Sequence, residues 1–263
     1  YIYAGFYQIF AGSGSVSGFA NISKVYPQWW GAVVNDGKDD SAAIQCAVDA
    51  SGNVYFTDGT YNVNSQINFT KLVSKRGHAN LTGSDAKTAT IKIGSNITAF
   101  NFNSNGTECN LTIDSLGLVG SDKSSTGVNY MGTHNAFSRV DVMNSYIKGL
   151  KIGVTFTKSG GCHFYNNLAE ENETVYKIGT LSMFLYWEKC TNNSNKYFIY
   201  CNVAASGGVS NGIMVNECTS TNSYGEDLYI TENQTVFVDK SSFTGGTGGQ
   251  ASIYFYNCCD LRV

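Results

Sequence analysis

Short runs of alternating apolar and polar residues fill the second half of the chain. Arg139-Val140-Asp141-Val142-Met143-Asn144-Ser145, Leu185-Tyr186-Trp187-Glu188-Lys189-Cys190, Ile213-Met214-Val215-Asn216-Glu217-Cys218 and Val236-Phe237-Val238-Asp239-Lys240-Ser241 share one form. Each is a period-two strand that ends in a polar pair and a small residue. Phe164-Tyr165-Asn166-Asn167-Leu168 is a weaker copy. The copies recur roughly every 20 to 28 residues, too short for propeller blades and suited to a solenoid with loops of variable length. Second strands are expected between them at Tyr146–Leu150, Asp227–Ile230 and Ser252–Tyr256. Each coil would then lay its strands ~4.8 Å from those of the preceding coil.

Aligned on the small residue, Met143, Asn166, Glu188, Asn216 and Asp239 fall in one column. That column faces outward if Val142, Trp187, Val215 and Val238 point inward. Cys190, Cys218 and Ser241 form a neighbouring stack of small residues, which accounts for two cysteines by packing. Upstream, short β-prone runs at Ile67–Phe69, Ala89–Ile93, Ala99–Phe102 and Leu111–Ile113 are separated by turn-forming residues.

The stretch Tyr26–Val63 has a different form. Trp29-Trp30-Gly31-Ala32 is followed by the acidic turn Asn35-Asp36-Gly37-Lys38-Asp39-Asp40. Ala42, Ala43, Ile44, Ala47 and Val48 then recur at helical spacing, which predicts a helix over Ser41–Ala50. Asp39, Asp40 and Ser41 are suited to accept from its first N–H groups, and Gly52 to stop it. Val54-Tyr55-Phe56 reads as a strand, closed by an Asp58-Gly59-Thr60-Tyr61 turn. A metal site at the acidic turn is the alternative to helix capping.

This ordered set of an aromatic-Gly-Ala step, acidic turn, Ala-Ala-Ile-Gln helix and Gly-Thr-Tyr turn resembles the opening of the pectate-lyase-like parallel β-helix family. That family includes polysaccharide-degrading enzymes and phage tailspikes. The resemblance covers about a seventh of the chain. It implies an all-β, right-handed, single-stranded parallel β-helix with a short N-terminal capping helix. Residues 1–25 are expected to form an N-terminal segment and flexible linker, with Ala11–Gly18 as the linker, and 26–263 the β-helix.

Composition narrows the function. The chain has 263 residues, enough for one large core, and a net charge of -3. Nucleic-acid binders are usually basic, so nucleic acid is not expected as a partner. Gly is 29, Tyr 17 and Phe 15, a mixture of turn formers and flat amphipathic rings. The 8 cysteines show no zinc-like spacing and are expected as buried thiols. No apolar run would span a membrane, and no signal peptide is evident. The chain starts without Met and ends mid-coil at Val263, which is expected of a piece of a longer protein.

Glycoside hydrolysis generally needs two carboxyl groups, about 6.5–9.5 Å apart for inversion. Equivalent positions two coils apart are ~9.6 Å apart. Glu188 and Asp239 have that relation, with Glu217 and the Glu226-Asp227 pair in the coil between, so Glu188, Asp239 and Glu217 are the candidate catalytic residues. Solvated charges on an outer face are the alternative. The acidic run Glu170-Glu171-Asn172-Glu173 is a second candidate, expected in a loop. Tyr229, Tyr254 and Tyr256, with Trp187 if the register slips by one residue, are candidates to stack on sugar. Packing against a neighbouring chain is the alternative for the tyrosines. His78, His134 and His163 are isolated in sequence and expected to be core or surface residues. No metal or cofactor is expected, since the clustered Asp of calcium-dependent lyases is not evident.

The resemblance implies a phage tailspike in a virion tail, outside the cell. It would bind and cleave a bacterial surface polysaccharide as a homotrimer attached to other virion proteins. A non-catalytic receptor-binding or structural fibre, and a free secreted lyase or hydrolase, remain alternatives.

Overall fold

The computed structural model describes residues 4–12, 16, 24–70, 77–104, 107–133, 138–202, 211–232, 235–245, 252–258 and 260–263. Its strands form three parallel sheets of nine, eight and eight strands, and every third strand along the chain joins the same sheet. This is a right-handed parallel β-helix, as the alternation and the opening motif predict. The first sheet runs from Asn53–Phe56 through Val140–Met143, His163–Tyr165, Met183–Glu188, Asn211–Asn216 and Thr235–Asp239 to Asp260–Arg262. The second includes Tyr146–Lys148, Leu168–Glu170, Thr191–Asn193 and Thr219–Thr221. The third includes Ile152–Thr157, Thr174–Ile178, Tyr197–Cys201, Leu228–Thr231 and Ile253–Tyr256.

Each coil therefore has three strands where the sequence suggested two. Tyr146–Lys148 and Leu228–Thr231, expected to be equivalent, lie in the second and third sheets. Two middle strands, Thr191–Asn193 and Thr219–Thr221, escape notice because their inward positions are polar. Asn192 and Ser220 are fully buried, and Asn192 donates to Ser220 Oγ at 2.5 Å.

The core is built from columns. Leu81, Ile113, Val142, Phe164, Trp187, Val215 and Val238 succeed one another across the first sheet. All are buried, as the alternation predicts for Val142, Val215 and Val238. Trp187 stacks on Phe164 with ring centroids 4.8 Å apart, and Tyr176 meets it edge-on at 5.8 Å. Burying one such side chain contributes about 1.5–3 kcal/mol.

The corner between the first and second sheets repeats one backbone conformation. Ser115, Asn144, Asn166, Lys189, Glu217 and Lys240 all have φ between 45° and 55°. Asn tolerates this left-handed region, whereas Lys and Glu are held there at a cost of roughly 1 kcal/mol or more. Just inside the corner sit Ser145, Asn167, Cys190 and Cys218, all buried. Their hydrogen bonds run from coil to coil: Ser145 N donates to Asn167 Oδ1 at 2.9 Å, and Cys218 N to Ser241 Oγ at 3.0 Å. The small-residue stack inferred for Cys190, Cys218 and Ser241 is this column. Cys190 and Cys218 are unbridged thiols. At the next corner, Asn172 and Asn195 do the same work with buried amides: Leu150 N donates to Asn172 Oδ1 at 2.9 Å, and Asn172 N to Asn195 Oδ1 at 2.6 Å.

The N-terminal end is closed strand by strand. The helix Ser41–Ala50, as predicted, buries Ile44, Ala47 and Val48 over the first coil. Gln45 on this helix accepts from Asn68 N and donates to Asn68 O, both at 2.8 Å, pairing the edge of the third sheet. Val25 pairs the edge of the first sheet through its backbone, accepting from Tyr55 N at 2.8 Å. Asp40 pairs the edge of the second: its N–H donates to Asn62 O at 2.7 Å and its Oδ2 accepts from Asn62 N at 2.9 Å.

The acidic turn thus ties loop to sheet more than it caps the helix. Asp39 Oδ1 accepts from Ser41 N, but Asp40, the N-cap residue, gives no side-chain bond to the helix. Ser51, in extended conformation, ends the helix one residue before Gly52. Of the expected N-terminal segment, Ile9 and Phe10 donate to Trp29 O at 3.0 and 2.9 Å, while most of the expected linker lies outside the described residues. No helix among the described residues is long and apolar enough to cross a membrane.

Candidate active site

Two outward columns cross the first sheet. One runs Asp114, Met143, Tyr165, Glu188, Asn216, Asp239. This is the column expected from the repeat, with Tyr165 in place of Asn166, because Asn166 takes the left-handed corner. The other runs Thr112, Asp141, His163, Tyr186, Met214, Phe237. Between them lies a cleft of about 610 Å³, lined among others by Arg139, Asp141, His163, Tyr186, Glu188 and Met214.

Asp141 is the chemically unusual group there. It is 7% exposed. Its Oδ1 accepts from His163 N at 3.0 Å, and its Oδ2 meets Arg139 Nε at 2.9 Å. Burial pushes its carboxyl above the ordinary value, and the Arg139 charge and the His163 N–H pull the other way without cancelling the shift. Glu188 lies two coils further on and is half-exposed. His163 Nε2 is 3.7 Å from Glu188 Oε2, and Lys189 Nζ is 3.7 Å from Oε1. The cleft thus holds one buried and one wet carboxyl group on either side of an imidazole. Tyr186 and Met214, both exposed on neighbouring strands, give it an apolar wall.

The sequence candidates fall in several places. Glu188 lines the cleft, and Asp239 stands two coils away in the same column with Asn216 between, as expected. Asp239 is beyond the cleft lining, with Lys240 Nζ at 3.9 Å. Glu217 occupies the left-handed corner with φ 51°, where Lys240 is 4.0 Å from it. Trp187 is fully buried, so Tyr186 is the ring that reaches solvent.

Tyr229 is stacked between Tyr200 and Tyr254, each 4.9 Å away at 14° and 12°. Both faces of Tyr229 are covered, so only its edge and hydroxyl are free. Tyr254 and Tyr256 are exposed, on the third sheet and away from the cleft.

The acidic run is not a loop. Glu170 ends a strand, Glu171 takes the next corner at φ 58°, and Asn172 is buried. Tyr146 donates to Glu170 Oε2 at 2.6 Å, and its hydroxyl is pushed up to about 12, by burial first and the Glu170 contact second. Lys148 lies 3.3 Å from Glu171. Asp227 is fully buried, its Oδ1 accepting from Ser220 and Ser223. Glu226 is half-buried on the third-sheet side.

Asp141, Arg139 and His163 were missed. Their signal was present two residues before the aligned column, where Asp141, His163 and Tyr186 share a register. His78 begins a first-sheet strand, and His134 lies outside the described residues. No group of three or more His, Cys, Asp or Glu side chains could hold a metal ion among the described residues.

Among solved structures, the chain is similar to ORF18 of Geobacillus virus E2. They share 16% identity with a TM-score of 0.61, over 91% of this chain and 60% of that one. It is also similar to the enzymatically active domain of tailspike protein 2 from bacteriophage CBA120. Here identity is 15% and the TM-score 0.53, over 93% of this chain and 43% of that one. The chain has the tailspike-type parallel β-helix fold. It spans 60% and 43% of the length of these two chains. No family model matches the chain, and no curated protein matches it in sequence.

Proposed function

We propose that this chain is the β-helix of a phage tailspike that binds and cleaves a bacterial surface polysaccharide, with the first-sheet cleft as its cleavage site. One observation carries the reading: a buried carboxyl group with a raised pKa and a wet one sit across His163 in a single cleft beside an apolar wall. In such pairs environment sets the roles. Asp141, whose pKa burial raises, is the acid that donates a proton to the glycosidic oxygen as that bond breaks. Glu188, half-exposed to solvent, takes a proton from the water that attacks the anomeric carbon. Their strands are two coils apart, ~9.6 Å along the axis, which leaves room for that water. Tyr186 and Met214 offer apolar surface to the sugar ring.

Hydrolysis is favoured over β-elimination because the nearest guanidinium, Arg139, is committed to Asp141 at 2.9 Å and is not free to neutralise a uronate. The spike would act outside the cell as a homotrimer in the virion tail. The deciding experiment incubates the protein with host capsule or lipopolysaccharide and resolves the products by mass spectrometry. New reducing ends, abolished in Asp141→Asn and Glu188→Gln, support the reading. Unsaturated uronic ends replace hydrolysis with elimination, and intact polymer removes the catalytic claim.

A further inference from the structure

A second groove lies on a different face of the solenoid. It has a volume of about 260 Å³ and is built on the third sheet from Lys151, Lys177, Lys196, Thr174, Tyr197 and Tyr200, with Glu173 in its wall. Three lysines in one small groove are unexpected in a chain of net charge -3. They come from three successive coils: Lys151 precedes the strand Ile152–Thr157, Lys177 lies in Thr174–Ile178, and Lys196 precedes Tyr197–Cys201. Lys151 and Lys196 share one position two coils apart, ~9.6 Å along the axis, with Glu173 between them, and Lys177 stands four residues further along the middle strand. Among the described residues none of the three forms an ion pair, whereas Lys148, Lys189 and Lys240 all do. Lys196 lies against the Tyr197 ring, 5.0 Å from its centroid.

A row starts at Lys177 and runs along the axis. Lys177 is in register with Tyr200, Tyr200 with Tyr229, and Tyr229 with Tyr254. These rings cover one another's faces, so what they present is a line of edges and phenolic hydroxyls. One ammonium group followed by hydroxyls one per coil, with Lys151 and Lys196 beside its start, makes a surface suited to an extended ligand carrying both carboxylates and hydroxyls.

We propose that this groove is an accessory binding track for a carboxylate-bearing polysaccharide, laid along the solenoid axis and separate from the cleavage cleft. The unpaired lysines take the sugar carboxylates, and the tyrosine hydroxyls take the sugar hydroxyls. The track holds one stretch of the polymer while another reaches the first sheet, so its contribution is to retention and not to bond cleavage. The proposal rests on the polysaccharide reading above, and it narrows the polymer to an acidic one.

The test is calorimetric titration of the whole chain with oligogalacturonate and with a neutral dextran oligomer of equal length. The acidic oligomer should bind and the neutral one should not. Binding should weaken as salt rises, because exposed charge pairs are screened. Replacing Lys177→Gln and Lys196→Gln together should weaken it about tenfold or more. Lys177 is exposed and Lys196 half-buried, so the melting temperature should change little. Equal binding of both oligomers, no binding of the acidic one, or indifference to the lysine changes overturns the track. Cleavage of a neutral polymer with no lysine dependence overturns the track while leaving the cleft reading intact. Lysine-dependent binding with no cleavage of any polymer sustains the track and overturns the cleft.

Discussion

The backbone N–H of His163 donates to the carboxylate of Asp141 at 3.0 Å, from the neighbouring strand of the same sheet. A strand N–H that binds a side chain is spent on positioning it. This bond, with Arg139 at 2.9 Å, fixes the buried carboxyl group at the floor of the cleft. The imidazole of the same histidine turns toward Glu188.

Because burial raises the pKa of Asp141, its protonated form persists to higher pH than that of an exposed aspartate. As a proton donor it is competent below its folded pKa and loses competence as pH rises through it. Turnover should therefore fall on the alkaline side. Asp141→Asn should remove that limb together with about 10²–10⁴-fold of the rate, because a positioned acid contributes that much. A pH–rate profile of both proteins checks this.

Asp227 offers a stability measurement. It is fully buried, with Oδ1 bonded to Ser220 and Ser223 and Oδ2 without a partner among the described residues. Burial raises its pKa. A raised folded pKa means that the folded chain holds the proton more tightly than the unfolded one. Stability is thus greatest below the unfolded carboxylate pKa and declines as pH rises through the folded one. Asp227→Asn should raise the melting temperature at neutral pH and lose that advantage in acid.

Glu217 separates a corner from a catalyst. At φ 51° it sits where a β-carbon is unwelcome and asparagine is tolerated. Glu217→Asn should stabilise the fold by about 1 kcal/mol and leave polysaccharide turnover unchanged. A loss of turnover with unchanged melting would return Glu217 to the active site.

Trp187 tests the core. Trp187→Ala should destabilise by about 3–5 kcal/mol, since Phe164, Phe156 and Tyr176 surround the ring and would line the cavity left behind. Chemical denaturation followed by tyrosine fluorescence would measure it.

Where inward positions are apolar, the sequence was easy to read. Val140, Val142, Val215 and Val238 all reach the core, and the helix Ser41–Ala50 has its predicted bounds. In the second sheet Ala89–Ile93 and Tyr146–Lys148 were legible from buried Ile91 and Ile147, but Thr191–Asn193 and Thr219–Thr221 were hidden because Asn192 and Ser220 point inward and are satisfied by each other and by Asp227. The column of Glu188 and Asp239 was legible from the corner residues that follow it. The column of Asp141 and His163 was not, because it lies further from that corner and its members share no chemistry. Tyr229 was placed outward correctly, but sequence cannot say that its two neighbours in register cover both its faces.

Among the described residues, Val25, Asp40 and Gln45 each engage part of the edge of one of the three sheets at that end. A strand from another molecule would find only an interrupted backbone row to extend. The solenoid therefore has two unlike ends, like a filament with one end guarded: a foreign strand meets an edge already partly engaged there.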